Sequence, residues 1–105
     1  MGSHFNKKDL VYTVYKEGSF SGAAKKLKMP QPSLSVMVKK IEDDIGQPLF
    51  DRTVKPLHLT AVGQEYIRVT EEISRIEEDF DNYIDALNNM QRGTLHIGSN
   101  QLLSS

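Results

Sequence analysis

The sequence predicts a mainly α fold of three short helices and a β-hairpin, followed by one long helix. Three observations carry this expectation. Apolar residues recur every three or four positions over segments punctuated by Gly18, Met29-Pro30 and Gly46, the period of helices with one buried face. Residues 48–60 switch to an alternating pattern around a turn, as a hairpin requires. From residue 61 an unbroken heptad pattern runs for about 31 residues, roughly 45 Å of helix at 1.5 Å per residue.

The first helix is expected over residues 7–17, with Leu10, Val11, Val14 and Tyr15 at helical spacing. Asn6 is a candidate cap, and Gly18 a left-handed stop. Ser19-Phe20-Ser21 opens the second helix, whose inner face carries Ala23, Ala24 and Leu27. The third runs from about Gln31 to Ile45, with Pro32 in its first turn, where proline is tolerated. Leu34, Val38, Ile41 and Ile45 form its apolar stripe, and Gly46 ends it. In the hairpin, residues 48–52 and 57–60 flank a turn at Thr53-Val54-Lys55-Pro56. Three helices and a hairpin within about 60 residues make a winged helix-turn-helix.

Thr60 is placed to cap the long helix, and Gly63 in its first turn lowers helix propensity. The seam Val62, Tyr66, Val69, Ile73, Ile76, Phe80, Tyr83, Leu87 and Met90 advances in steps of four and three, the repeat of a helix that pairs with another helix. The expected organisation is a cloning remnant at 1–4, a winged helix-turn-helix domain at 5–60, a linker helix for dimerisation at 61–92, and the start of a second domain at 93–105. Gly93-Thr94-Leu95-His96-Ile97-Gly98 alternates like one strand. A lone strand lacks a ladder partner, so the chain reads as truncated there and its tail as mobile.

Composition narrows the function. The 105 residues are 38% hydrophobic and 26% charged, a balance for a globular domain rather than a disordered chain. No apolar run approaches the roughly 20 residues of a membrane span, and the N-terminus has no signal-peptide core. The absence of Cys excludes disulfides, thiolate zinc sites and a cysteine nucleophile. A cytoplasmic protein is expected. The formal net charge of -1 conceals an asymmetry: residues 1–63 carry ten Lys and Arg against six acids, and residues 64–92 carry three against eight. The basic part can face a polyanion despite the acidic whole, because such fields are short-ranged in salt.

Catalysis finds no support. His4, His58 and His96 have no metal-ligand spacing, the glycines form no phosphate-binding motif, and the acids of the long helix fall on its outer faces. DNA binding does find support. Gln31-Pro32-Ser33-Leu34-Ser35 puts hydrogen-bonding groups at a helix N-terminus, suited to phosphates and base edges. Gln31 suits adenine and Val36 a thymine methyl. Lys39 and Lys40 can reach phosphates, and Ser21 either reaches one or caps its helix. In the hairpin, Arg52 and Lys55 offer cations to a narrow minor groove. Arg52 has an equally good alternative in an ion pair with the third helix or with Asp51.

These residues resemble the LysR-type transcriptional regulators. The resemblance runs from about Leu10 through Ile97. It rests on Gly18-Ser19-Phe20-Ser21-x-Ala23-Ala24-x-x-Leu27, Gln31-Pro32-Ser33-Leu34-Ser35, Ile41-Glu42-x-x-Ile45-Gly46-x-x-Leu49-Phe50-x-Arg52, Leu59-Thr60-x-x-Gly63, and Gly93-x-Leu95-x-Ile97-Gly98. It implies a sequence-specific reader of double-stranded DNA at an inverted repeat, dimeric through antiparallel linker helices, with tetramers in the full-length protein. It implies DNA contacts at Gln31, Pro32, Ser33, Ser35 and Val36 and, in the wing, at Lys55. It also implies a further domain that binds a small-molecule co-inducer; no cofactor is expected within these residues. The chain departs from the family pattern at Pro30, where a capping Ser is usual, and at Val36 and Lys55, where Arg is common. Lysine keeps the charge but loses the planar fork. The competing reading is a protein–protein interaction module that uses the long acidic helix, which salt dependence of DNA binding would separate from a reader.

Overall fold

The computed structural model describes residues 4–91. The order is α1 (Lys8–Glu17), α2 (Phe20–Leu27), α3 (Gln31–Ile45), β1 (Phe50–Asp51), β2 (His58–Leu59) and α4 (Ala61–Gln91). The strand expected over residues 93–98 lies outside the described residues. The chain divides into two units, one ending at Glu71 and one beginning at Glu72.

Helix boundaries follow local chemistry. Gly18 and Gly46 take φ of 75° and 87° and close α1 and α3 by donating their N–H groups to Val14 O and Glu42 O. Ser19 caps α2, its Oγ accepting from Gly22 N–H at 3.0 Å. Thr60 caps α4, accepting from Gly63 N–H at 3.0 Å. The cap expected from Asn6 is absent. Lys7 occupies the position and makes no side-chain cap. Backbone bonds serve instead, with Lys8 N–H donating to Phe5 O (3.2 Å) and Leu10 N–H to Lys7 O (3.1 Å). That turn brings the Phe5 ring onto Tyr66, with centroids 4.5 Å apart.

The core of the first unit gathers Val11 and Val14 of α1, Ala23 and Ala24 of α2, Leu34, Val38 and Ile41 of α3, Leu49 and Phe50 of the wing, and Tyr66 and Ile67 of α4. The two alanines leave no bulk between helices, so α2 packs closely on its neighbours. Tyr15, which shares the helical spacing of Leu10, Val11 and Val14, is exposed.

The wing is an antiparallel pair in the register Phe50↔Leu59 and Asp51↔His58. Its strands are two residues long, shorter than the alternating runs. Both ends are fastened. Thr60 N–H donates to Leu49 O at 2.9 Å, and Leu57 N–H donates to Gly18 O at 3.2 Å. The second bond fixes the returning leg beside the start of α2. At the tip, Asp51 Oδ1 accepts from Thr53 N–H (3.0 Å) and Thr53 Oγ1 (2.5 Å); these bonds hold its carboxyl below the usual range.

Gly63 is more than a weak helix residue. A Cβ there would stand 2.0 Å from the Leu49 carbonyl oxygen. The first turn of α4 therefore lies against the base of the wing at a distance only glycine permits. No helix among the described residues is long and apolar enough to cross a membrane.

Candidate nucleic-acid interface

α3 is anchored through its apolar stripe. Leu34 and Val38 are fully buried, which turns the opposite face outward. Pro32, Val36 and Lys40 share that outer face at i, i+4 and i+8. Gln31, Pro32, Ser33, Lys39 and Lys40 are exposed and Ser35 is half-buried. Val36 is 68% exposed, the highest value among the exposed large hydrophobic residues of the described part. Lys39 pairs with Asp43 at 3.2 Å on the helix surface, a solvated i,i+4 contact of small worth. Lys40 has no such pair among the described residues.

A cleft of about 490 Å³ separates the N-termini of α2 and α3 from the wing. Ser21, Gln31, Arg52 and Lys55 all line it. Residues up to 34 positions apart in sequence thus meet on one surface, because Leu57 is bonded to Gly18 and so draws the wing towards α2.

Arg52 faces a partner within the fold. Its Nη2 donates to Glu42 Oε1 at 3.0 Å and its Nη1 to Glu42 Oε2 at 3.3 Å, and its guanidinium lies 5.1 Å from the Phe20 ring centroid. Of the readings open to it, the ion pair with α3 is the one formed; Asp51 is engaged by Thr53. Arg52 is thereby tied to the frame of the wing, while its side chain stays 42% exposed on the cleft.

Glu42 is the residue that sequence reasoning missed. It is 4% exposed. Besides Arg52, its Oε2 accepts from Leu49 N–H (2.7 Å) and Phe50 N–H (3.2 Å). The signal was present in the sequence: Glu42 stands four residues after Val38, on the apolar stripe, and a carboxylate there needs internal donors.

The heptad seam divides. Tyr66 is buried in the first unit, donates its hydroxyl to His4 O at 2.6 Å and stacks on Phe5. Val62 packs against the same core. Of these two seam residues, Tyr66 is taken up by the core and Val62 is half-buried against it. The physical reason is that the first turns of α4 also cover the three-helix core. His4 takes part through its carbonyl alone, so a residue set aside as a remnant still supplies an acceptor. Burial pushes the Tyr66 hydroxyl up to about 12. Val69 and Ile73 are half-buried. In the second unit Ile76, Phe80 and Tyr83 are each more than 60% exposed, and Leu87 is also exposed. Among the described residues no group of three or more His, Cys, Asp or Glu side chains could hold a metal ion.

Taken together, a buried three-helix core, an outward-facing third helix and a fastened hairpin define a winged helix-turn-helix protein. Residues 6–64 match the family described as bacterial regulatory helix-turn-helix protein, lysR family, and the chain belongs to that family. A probable RuBisCO transcriptional regulator of Emiliania huxleyi is 35% identical over 92 residues, covering 88% of this chain and 29% of the relative. The HTH-type transcriptional regulator CbbR of Xanthobacter flavus is 34% identical over 89 residues, covering 85% and 27%. The chain thus spans under a third of the length of these relatives. Among solved structures, a BenM DBD/catB site 1 DNA complex superposes with a TM-score of 0.64 at 27% identity, covering 85% of this chain and 92% of that one. Vibrio fischeri DarR in complex with DNA gives a TM-score of 0.67 at 27% identity, covering 84% and 30%. The family consists of transcriptional regulators, which are not enzymes.

Proposed function

We infer that this chain is the DNA-reading part of a LysR-type transcriptional regulator and that it binds an inverted repeat in double-stranded DNA as a homodimer. The observation that carries the reading is the joint exposure of the α3 outer face with the cleft that gathers Ser21, Gln31 and Lys55. A helix entering the major groove and a hairpin flanking it need their polar groups on one side of the domain. Two similar structures are described as DNA complexes, which supports the same reading. Gln31 reads adenine, Val36 reads a thymine methyl, and Ser33 and Ser35 reach base edges or phosphates. Lys39, Lys40 and Ser21 hold phosphates, and Lys55 reaches the minor groove. Pro32 starts α3 with a preset backbone beside the DNA.

Dimerisation is assigned to the part of the seam that the core does not use, Val69, Ile73, Ile76, Phe80, Tyr83 and Leu87, with the paired helices antiparallel. In the whole regulator, assembly to tetramers, a domain for a small co-inducer and action in the cytoplasm complete the proposal. The test is selection of bound duplexes from a random DNA pool at near-physiological salt, followed by sequencing. An enriched inverted repeat is expected. A pool without enrichment would refute sequence reading by this chain.

A further inference from the structure

Lys28, in the turn between α2 and α3, sits at φ 57°, the one non-glycine residue with positive φ among the described residues. A side chain with a Cβ is disfavoured in the left-handed region, where Gly or Asn is the usual occupant of a helix end. The turn is closed by backbone groups alone. Lys28 N–H donates to Lys25 O at 3.2 Å and Met29 N–H donates to Ala24 O at 3.1 Å. Nothing in the turn calls for a lysine side chain, and a glycine would make the same bonds at lower conformational cost.

The surroundings supply a reason for the lysine. Lys26 is turned towards Glu17, at 4.0 Å. Lys25 and Lys28 have no carboxylate within that distance among the described residues. Both line a shallow groove on the molecular surface whose other walls include Ser21 and Gln31. Two unpartnered ammonium groups therefore lead up to the residues placed at the DNA face. We propose that Lys28, together with Lys25, holds backbone phosphate of duplex DNA beside the base pairs read by α3, and that this contact is why the turn keeps a residue its backbone disfavours. The proposal rests on the DNA-reading function above and extends its footprint past the recognition helix and the wing. Phosphate is the occupant favoured here because the groove is continuous with Gln31 and Ser21, and because a phosphate contact needs charge without base geometry.

The experiment compares the unaltered chain with Lys28→Gly and Lys28→Arg. Two quantities are read: the thermal midpoint, and affinity for a fluorescent mixed-sequence duplex across a salt series. For Lys28→Gly, Tm is expected to rise by about 2–5 °C as the disfavoured backbone is relieved. Affinity for every duplex is expected to fall, with the slope of log affinity against log salt smaller by about 0.9. Lys28→Arg is expected to keep the slope. A Lys28→Gly chain that binds with unaltered slope and affinity overturns the phosphate contact and leaves the DNA-reading function standing. A fall in Tm would show that the side chain holds the turn, and would overturn the explanation for its presence. Failure of the unaltered chain to bind any duplex overturns both proposals.

Discussion

The carboxylate of Glu42 and the guanidinium of Arg52 meet in two N–H to O contacts of 3.0 and 3.3 Å, and the same carboxylate accepts the N–H groups of Leu49 and Phe50. One buried acid on α3 thereby holds backbone groups at the start of the wing's first strand and the side chain that follows it. Glu42→Ala strands two backbone donors and a cation, and is expected to cost about 3 kcal/mol in urea unfolding. Arg52→Ala leaves the backbone bonds in place. Its side chain is 42% exposed, so solvent screening brings its expected cost nearer to about 1 kcal/mol. Equal losses for the two variants would contradict this division of labour.

Gly63→Ala tests the closeness of α4 to the wing. On helix propensity alone, alanine would gain about 1 kcal/mol. With Leu49 O standing 2.0 Å from the new Cβ, the backbone must move instead, and a net loss of about 2 kcal/mol or more is expected. Thermal unfolding decides the sign, and a stabilised variant would refute the close approach.

Tyr66 makes the stability fall at high pH. An unfolded tyrosine ionises near 10, whereas the folded one holds its proton to about 12. Between these values the unfolded chain has lost a proton that the folded chain keeps. The tyrosine's contribution is therefore complete below pH 10 and is lost as pH rises through 12. Tyr66→Phe is expected to show a shallower decline over that window in denaturant titrations. Parallel curves would remove Tyr66 as its source.

Replacing Ile76 by Lys places a charge in the exposed apolar part of the seam. Sedimentation is expected to show a dimer for the unaltered chain and a monomer for Ile76→Lys. A dimer that survives puts the interface elsewhere.

Val36 can be tested without altering the protein's fold. Replacing thymine by uracil in the selected half-site removes only a methyl group. Where Val36 touches that methyl, affinity is expected to drop by about threefold to tenfold, of the order of one buried methyl group, and Val36→Ala should respond much less. An equal response in both proteins would end the assignment.

Much of this was legible in the sequence because the signals were local and redundant. Gly18, Gly46, Ser19 and Thr60 each mark a boundary by their own backbone or side-chain chemistry, and the Leu34, Val38, Ile41 stripe orients α3 unaided. What the sequence concealed depends on contacts between distant residues. Gly63 reads as a flaw until Leu49 O is found against it. Tyr66 fits the heptad as well as Ile76 does, and its contacts with Phe5, His4 O and the three-helix core separate a core residue from an exposed one. Arg52 had two partners in reach by sequence, and the choice was made by Glu42, whose carboxylate already faced the strand. Asn6 illustrates the converse, a residue with good capping chemistry displaced because Phe5 draws the turn into the core.

The wing's fastenings also say where this domain tolerates change. Glu42 grips Leu49 and Phe50, Gly18 O receives Leu57 N–H, and Thr60 joins Pro48 O at 2.7 Å while capping α4. Those ties fix the hairpin's legs and leave Thr53, Val54 and Lys55 as an exposed tip. That tip can be lengthened, shortened or recharged without breaking those ties, whereas one added residue at Thr60 would displace both of its bonds. The reach of the tip is thereby decoupled from the integrity of the domain.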